Sequence, residues 1–418
     1  MAVSIPKKIK PSLLLEKRQE HPEFLCYYGS VYANRLYYGE NLDVLSALLQ
    51  EESVCKKVKL IYIDPPYSTG GIFQTRDLKN AYTDTLIGEE YLAFMRERLV
   101  LLQHLLADDG SIYVHLDNKM VFHVKIMLDE IFGSNNFQGM ITRKKCKPKN
   151  YTKKTYGNIS DYILFYTKSD LTTWNRPYQE WTDEKMLKEY PFVEEGTNRR
   201  YKKVPIHVPG TRNGETGKMW RGMLPPKGKH WQYTPDKLEE LDKKGEIYWS
   251  SNGNPRRKVY LDTSLGVPVQ DIWLDFLDIN NQNTKNTGYP TEKNAEMLKQ
   301  IILASSNAGD IVLDAFAGSG STLAAASELG RNWIGIDNSE EAMKVIFQRF
   351  LTGVEILGDF STKKEEIAPK LSLFDAPKTK LLSPLIHDFS FWTEKDNEQP
   401  FLSLIHQFQY QQNANKTI

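Results

Sequence analysis

The first stretch of the chain with a regular hydrophobic pattern contains two apolar runs on either side of an amphipathic segment. Residues 60–63 form a short run that leads into two prolines, which is typical of a buried parallel strand. Residues 91–106 carry large apolar side chains at helical spacing, and Asp109 and Gly110 are the predicted end of this helix. The second apolar run, 111–116, predicts the next strand.

A similar pattern returns only after residue 285. The runs at 311–314 and 333–337 predict strands, and the Ala-rich segment 321–329 between them predicts a helix that ends at Gly330. These elements form a complete βαβ unit. Alternating strands and helices in both parts of the chain predict an α/β fold whose sheet is covered on both faces.

The region between these two parts has a different character. It contains six of the eight tryptophans, many prolines and glycines, and no long helical period, which predicts a separate loop-rich insert. The tryptophans fit either the small core of such a domain or a binding surface. Beyond residue 360 the chain is polar and irregular, apart from an apolar patch at 401–408. The predicted segments are 25–170, 171–285, 286–360 and a C-terminal extension, 361–418.

The composition excludes several classes of protein. The 418 residues include 54 Lys and Arg against 53 Asp and Glu, so the formal net charge is only +1. The three cysteines lie far apart, which predicts neither a disulfide framework nor a metal site. Charged residues interrupt every long apolar run and the N-terminus does not resemble a leader, so we expect a cytoplasmic protein with no membrane partner.

The tetrapeptide Asp64-Pro65-Pro66-Tyr67 follows the first predicted strand, at the edge of the sheet where α/β proteins bind ligands. An exocyclic amine of a nucleobase is a poor nucleophile because its lone pair is delocalised into the ring. The Asp64 carboxylate and the Pro65 carbonyl can accept its two N–H bonds, while Tyr67 stacks on the base. A proline-rich turn without any catalytic role is the alternative.

The second candidate site is the loop 314–322, which joins a predicted strand to a predicted helix. Its glycines allow close approach of a ligand, but Leu323 stands where a dinucleotide fingerprint has its third glycine. This favours a ligand without a pyrophosphate over the cofactor of a Rossmann-type oxidoreductase. Asp337 ends the next strand, a position typical of an acidic residue that binds a ribose. A nucleoside cofactor is therefore expected.

Together, Asp64-Pro65-Pro66-Tyr67 and Phe316-Ala317-Gly318-Ser319-Gly320 resemble the motifs of β-class amino-methyltransferases that modify DNA bases with S-adenosylmethionine. The resemblance covers about residues 25 to 360 and extends to the modification (Mod) subunits of type III restriction systems. It implies a Rossmann-like, doubly wound sheet with circularly permuted motif order and an inserted target recognition domain. The implied cofactor-binding residues are Asn41, Thr291, Lys293, Asp314, Phe316, Ala317, Gly318, Ser319, Gly320, Ser321, Thr322, Asp337 and Asn338.

The first residue of the catalytic motif indicates which base is methylated. Asp64 resembles the N6-adenine enzymes, whereas Ser is usual in N4-cytosine enzymes, so a site-specific adenine methyltransferase of a restriction–modification system is expected. Methylation of N4-cytosine or of an RNA amine remains an alternative of the same chemistry. A methyltransferase-like subunit that binds nucleic acid without catalysis is an alternative of a different class.

Local charge predicts a double-stranded DNA partner despite the neutral total. Residues 138–170 contain eight Lys and Arg and two Asp and Glu, a balance of 8 − 2 = +6. A solvated lysine-rich loop is the alternative. The predicted DNA contacts are Arg143, Lys144, Lys145, Lys147, Lys149, Arg221, Arg256 and Arg257. The resemblance further implies a homodimer, and a restriction endonuclease as a possible partner.

Overall fold

The computed structural model describes residues 22–29, 33–66, 72–74, 80–83, 88–148, 154–278, 292–353 and 386–415. These residues form two compact units. The smaller unit is Tyr178–Pro268, and the larger unit takes its described residues from both sides of it. Within the described ranges, no helix has the length and apolar character needed to cross a membrane.

The strands, in chain order, are β1 Phe24–Tyr28, β2 Arg35–Tyr38, β3 Val58–Ile63, β4 Ile72–Gln74, β5 Asn80–Thr83, β6 Leu106–Leu116, β7 Phe137–Lys144, β8 Ser160–Thr167, β9 Tyr178–Gln179, β10 Phe192–Val193, β11 Arg200–Pro205, β12 His207–Pro209, β13 Lys229–Trp231, β14 Ile247–Trp249, β15 Pro255–Tyr260, β16 Val267–Pro268, β17 Ile272–Trp273, β18 Ile311–Asp314, β19 Asn332–Asp337 and β20 Ser390–Glu394. The α-helices are α1 Asn41–Leu48, α2 Glu89–Leu105, α3 Val121–Phe132, α4 Asp183–Glu189, α5 Pro235–Lys243, α6 Ala295–Ser305, α7 Ser321–Glu328, α8 Glu340–Thr352 and α9 Leu402–Asn415.

Ten of the described strands of the larger unit build one sheet in the order β1, β20, β2, β19, β18, β3, β6, β8, β7 and β17, and β4 pairs separately with β5. The strands from β20 to β6 run parallel, whereas β1 and β8 run antiparallel to the strands beside them. β18 comes late in the chain yet lies beside β3. The carboxyl ends of two distant segments therefore meet at one edge of the sheet.

Helices cover both faces of this sheet, as the predicted α/β class requires. Alternate residues of β3 point to opposite faces: Ile61 and Ile63 join a core formed with α1, α2 and α3, whereas Leu60 and Tyr62 join a core formed with α6, α7, α8 and α9. Strands that are buried on both faces read as continuous apolar runs, which is why the sequence pattern identified β3 and β18.

The end of the helix predicted at 91–106 needs a correction. α2 ends at Leu105, and Asp109 and Gly110 belong to β6. A Cβ atom at Gly110 would lie 2.9 Å from Leu106 Cδ2 and 3.0 Å from the Val58 carbonyl oxygen. Gly110 is therefore needed where β6 passes close to β3, and it does not cap a helix.

The C-terminal residues are also more regular than the sequence indicated. β20 inserts between β1 and β2 in the main sheet, and Phe391 of β20 is fully buried. The apolar patch at 401–408 supplies Phe401, Ile405 and Phe408 to the second core. Residues 386–415 therefore complete the sheet and its packing.

The smaller unit has a sheet with the strand order β10, β11, β15 and β14, and its helices α4 and α5 are short. Its core includes Trp220, Trp231, Leu238 and Ile247. Trp220 packs on Trp231 and Trp249, with ring centroids 6.2 Å and 5.4 Å apart. These three aromatic side chains mainly hold together a unit that has few long elements.

Candidate active site

Asp64, Pro65 and Pro66 follow β3 directly, at the carboxyl edge of the main sheet. Asp64 and Pro66 are half-buried and Pro65 is buried, while Tyr67 lies outside the described residues. Tyr62 and Asp64 are two positions apart, so their side chains share the face of the sheet that α6 to α9 cover. The strand therefore sets the direction of the carboxylate.

The glycine-containing loop follows β18, the strand beside β3. Its backbone turns through Gly318 at φ +51° and Gly320 at φ +71°, both in the region that favours glycine. The Asp314 carboxylate accepts a hydrogen bond of 3.0 Å from the Phe316 N–H, and the Ser319 and Ser321 hydroxyls lie 3.0 Å apart. A Cβ at Gly320 would lie 2.9 Å from Ile346 Cγ1, so α8 also limits this position to glycine.

Asp337, at the end of β19, holds this loop to the next helix. One carboxylate oxygen accepts from the Gly318 N–H at 2.8 Å, and the other accepts from the Ser339 N–H at 2.9 Å. Desolvation in this half-buried position raises the pKa of Asp337, although these N–H donors act in the opposite direction. The exposed Asn338 donates to Glu40 at 3.1 Å. The ribose contact of Asp337 and Asn338 stays a prediction.

The predicted cofactor ligand Asn41 is buried beneath the glycine loop. Its amide donates to the Ala315 carbonyl at 2.9 Å, and its carbonyl accepts from Arg98 Nε at 2.5 Å. Arg98 also pairs with Glu40. Asn41 therefore braces the loop from below. Sequence reasoning missed Arg98 because helical periodicity alone does not show which polar residue of α2 turns inward.

Lys293, a predicted cofactor ligand, lies beside Asp64, and its contact with the cofactor stays a prediction. Its Nζ lies 2.7 Å from Asp64 Oδ2, so it contacts the candidate catalytic carboxylate. Thr291, its predicted companion, lies outside the described residues.

The two candidate sites also influence each other electrostatically. Burial raises the pKa of Asp314 to about 7 against the effect of its Thr322 and Phe316 donors, and the charges of Asp64 and Asp337 raise it further.

A row of buried polar side chains extends from the catalytic strand across β6, β8 and β7. The Tyr62 hydroxyl lies 2.8 Å from His115 Nδ1, and His115 Nε2 lies 3.0 Å from Asp161 Oδ2. Burial lowers the pKa of His115, whereas Asp161 opposes this effect. Burial opposes ionisation of Asp161, yet His115 and Arg143 hold the pKa of Asp161 well below its usual range.

Arg143 is the correction among the predicted DNA contacts. Its side chain is buried and donates to both Asp161 oxygens, at 2.8 Å and 2.6 Å, and to Asp278 at 2.5 Å. A guanidinium that is enclosed and paired in this way does not reach a phosphate. Its spacing from Ile141 was the available clue, because residues two apart on a strand share a face, and Ile141 is buried.

The other predicted DNA contacts vary in accessibility. Lys144 and Lys145 are half-exposed and Lys147 is exposed, while Lys149 lies outside the described residues.

In the smaller unit, Arg256 is exposed and Arg257 donates to the Tyr233 hydroxyl. Arg221 pairs with Glu239 and Asp242 at 2.8 Å and 2.7 Å. Their contacts with DNA stay predictions.

Comparison with known proteins gives consistent relatives. The sequence profile of the family described as DNA methylase matches residues 58–348. The type II methyltransferase M.EcaI of Enterobacter cloacae is 44% identical, and the match covers 94% of this chain and 87% of that protein. The Mod subunit of the type III restriction-modification enzyme StyLTI of Salmonella typhimurium is 28% identical, and the match covers 77% of this chain but 52% of that subunit.

Among solved structures, the PvuII DNA methyltransferase, described as cytosine-N4-specific, aligns with 78% of this chain and 90% of its own. Its sequence is 15% identical and the TM-score is 0.42.

Proposed function

The chain belongs to the DNA methylase family, and on that basis we propose that it transfers a methyl group from S-adenosylmethionine to the N6 amine of adenine in double-stranded DNA, within a restriction–modification system. The observation that carries the proposal is the position of Asp64 at the end of β3, beside the strand that leads into the glycine loop. The family includes N6 and N4 enzymes, and the Asp at the head of the motif supports adenine.

The residues at this edge fit a nucleoside sulfonium cofactor. The turn through Gly318 and Gly320 keeps the loop free of side chains at these two positions, and α7 begins at Ser321. Asp337, Asn338 and Phe316 would hold the nucleoside part. When bound, S-adenosylmethionine supplies a methyl group made electrophilic by its sulfonium.

Asp64 and Pro65 would orient the target amine. The carboxylate accepts one N–H of the amine, the Pro65 carbonyl accepts the other, and the nitrogen lone pair then points towards the methyl group. Because adenine is stacked and paired in a duplex, it must first rotate out of the helix, which costs a few kcal/mol. Contacts between the protein and the DNA backbone would offset that cost.

The unit Tyr178–Pro268 is proposed as the target recognition domain. One face of its main sheet combines aromatic and basic side chains: Lys203 Nζ lies 3.7 Å from the Phe192 ring centroid and 3.4 Å from that of Tyr248. Lys258 lies opposite Lys203 on the adjacent strand. A face of this kind suits contact with phosphates and bases. A homodimer and a partner endonuclease stay predictions.

The test is transfer of a labelled methyl group from S-adenosylmethionine to double-stranded DNA, followed by identification of the modified nucleoside. We expect N6-methyl-2′-deoxyadenosine from the unaltered protein. Asp64→Ala should reduce transfer by at least about 1000-fold, because the variant lacks the acceptor for the amine. Cofactor affinity should change little, since Asp64 is assigned to the amine and the glycine loop to the cofactor.

Asp170→Ala provides a matched control, because Asp170 is an exposed aspartate of the same unit and should retain full activity. Detection of N4-methyl-2′-deoxycytidine in place of N6-methyl-2′-deoxyadenosine would show that the base assignment is wrong. Undiminished transfer by Asp64→Ala would remove Asp64 from its proposed role.

A further inference from the structure

Lys293 and Asp64 form an ion pair that is mostly hidden from solvent. The atoms Nζ and Oδ2 are 2.7 Å apart, and the side chains are only 10% and 18% exposed. A pair on the open surface contributes little, but removing one partner from a secluded pair leaves an uncompensated charge. The interaction is therefore strong enough to control where the carboxylate points.

The residues on either side of Lys293 fix its backbone. Glu292 forms a buried ion pair with Arg349 of α8, and Arg349 also donates to the Ser321 hydroxyl at 3.2 Å. Asn294 caps α6 by accepting from the N–H groups of Glu296 and Met297, at 3.0 Å and 3.3 Å. Lys293 is thus held between two anchored neighbours, and its ammonium reaches Asp64 from a rigid support.

The charges at this edge of the sheet explain why a cation is needed. Asp64, Asp314 and Asp337 are close enough that the first and the last both raise the pKa of Asp314. Carboxylates this close together repel one another, and the proposed reaction needs Asp64 in one orientation. The ammonium of Lys293 supplies the opposite charge beside Asp64 itself.

We propose that Lys293 is a positioning residue for Asp64, and that it does not bind the cofactor. Its ammonium holds Oδ2 at 2.7 Å and thereby fixes the orientation in which the carboxylate meets the amine of the target base. This inference rests on the proposed function, since it assigns Lys293 a role in the same methyl transfer. It also assigns Lys293 a role that the sequence motif alone did not indicate.

The test separates turnover from cofactor binding in Lys293→Met and Lys293→Arg. At saturating S-adenosylmethionine and DNA, the Met variant should lose about 100-fold in kcat, because a misdirected Asp64 no longer aligns the amine. The dissociation constant for S-adenosylmethionine, measured by calorimetry, should stay within about threefold for both variants, since the cofactor keeps its loop. The Arg variant should recover at least about tenfold of the lost kcat, because it restores a cation.

Lys299→Met is the matched control, because Lys299 of α6 pairs with Glu296 of the same helix and with Glu328 of α7, at 3.1 Å and 2.6 Å, and neither partner is a candidate site residue. It should keep full kcat. Thermal unfolding checks that the Met variant folds; if it does not, Lys293→Gln against Lys293→Arg carries the same comparison.

Two results would overturn the proposal: a cofactor affinity lowered more than about tenfold with unchanged kcat, or a Met variant with unchanged values of both. Failure of the proposed function is distinguishable, because the unaltered protein itself would then transfer no methyl group to DNA. A protein that methylates DNA equally well with and without Lys293 would contradict only the positioning role.

Discussion

At the scale of single residues, the candidate site consists of acids at the carboxyl edge of the sheet and of basic side chains from distant parts of the chain that support it. Asp64, Asp314 and Asp337 each follow an apolar run, so the pattern fixed their place at strand ends. Arg98 contacts Asn41, which is 98 − 41 = 57 positions away in the chain. Lys293 contacts Asp64, which is 293 − 64 = 229 positions away. A local pattern carries no information on such contacts.

Asp314 leads to a prediction about stability and pH. Its pKa rises from 3.8 to about 7 in the folded protein, so the folded state holds this proton more tightly than the unfolded chain. The associated stability is fully present below about pH 4 and is lost as pH rises through about 7. Asp314→Asn removes this ionisation, so the variant should lose less stability than the unaltered protein between pH 5 and pH 8. The difference should be a few kcal/mol, at roughly 1.4 kcal/mol per pKa unit.

Denaturant unfolding at the two pH values checks this expectation. Asp170→Asn is the control, because Asp170 is exposed and its replacement should leave the pH dependence as it was. Parallel behaviour of Asp314→Asn and the unaltered protein would contradict the role given to the Asp314 carboxyl.

At the scale of elements, β7 shows why one residue of a basic run was misassigned. The basic residues from 143 to 154 were predicted to contact DNA phosphates as one segment, but Arg143 and Lys144 are still within a strand. Neighbouring residues on a strand point to opposite faces, so Arg143 turns into the core and pairs with Asp161, while Lys144 stays half-exposed. Arg143 therefore has a structural role, and only the basic residues after it are candidates for contact with DNA.

This division of β7 and the following residues predicts two different phenotypes. Replacing Lys144, Lys145 and Lys147 by Gln should lower the slope of log affinity for DNA against log salt by up to about 3, at roughly 0.9 per phosphate contact. Arg143→Gln should leave that slope unchanged but should cost about 3–5 kcal/mol of folding stability, because Asp161 loses its buried partner. Salt titrations of DNA binding and denaturant unfolding distinguish the two. An unaltered slope in the triple variant would favour a solvated loop.

At the scale of the whole chain, the sequence predicted an α/β protein whose pattern appears in two separated parts, and the sheet joins these parts by placing β18 beside β3. It did not predict β20. This strand is short and lies in a polar stretch, and only its pairing with β1 and β2 makes its apolar residues part of a core. Tertiary contacts, rather than local propensity, define such a strand.

Phe391 tests whether β20 is integral to the fold. Its ring lies 5.1 Å from that of Phe347 and 5.4 Å from that of Phe401, measured between centroids. Phe391→Ala should therefore lower the free energy of unfolding by about 3–5 kcal/mol. Phe122→Ala, at a position that is 61% exposed on α3, should change it by less than about 0.5 kcal/mol. Similar midpoints for the two variants in denaturant would contradict this account of β20.

The pairing of β1 with β20 also sets the order in which the protein can finish folding during its synthesis. The Tyr28 hydroxyl donates at 3.3 Å to the carbonyl of His387, 359 positions later in the chain. At about 5–20 residues per second, a ribosome needs roughly 20–70 s to cover that distance. Throughout this interval β1 has left the ribosome without its partner strand. A nascent chain carrying the edges of β1 and β2 unpaired is the form most exposed to aggregation and to chaperone binding.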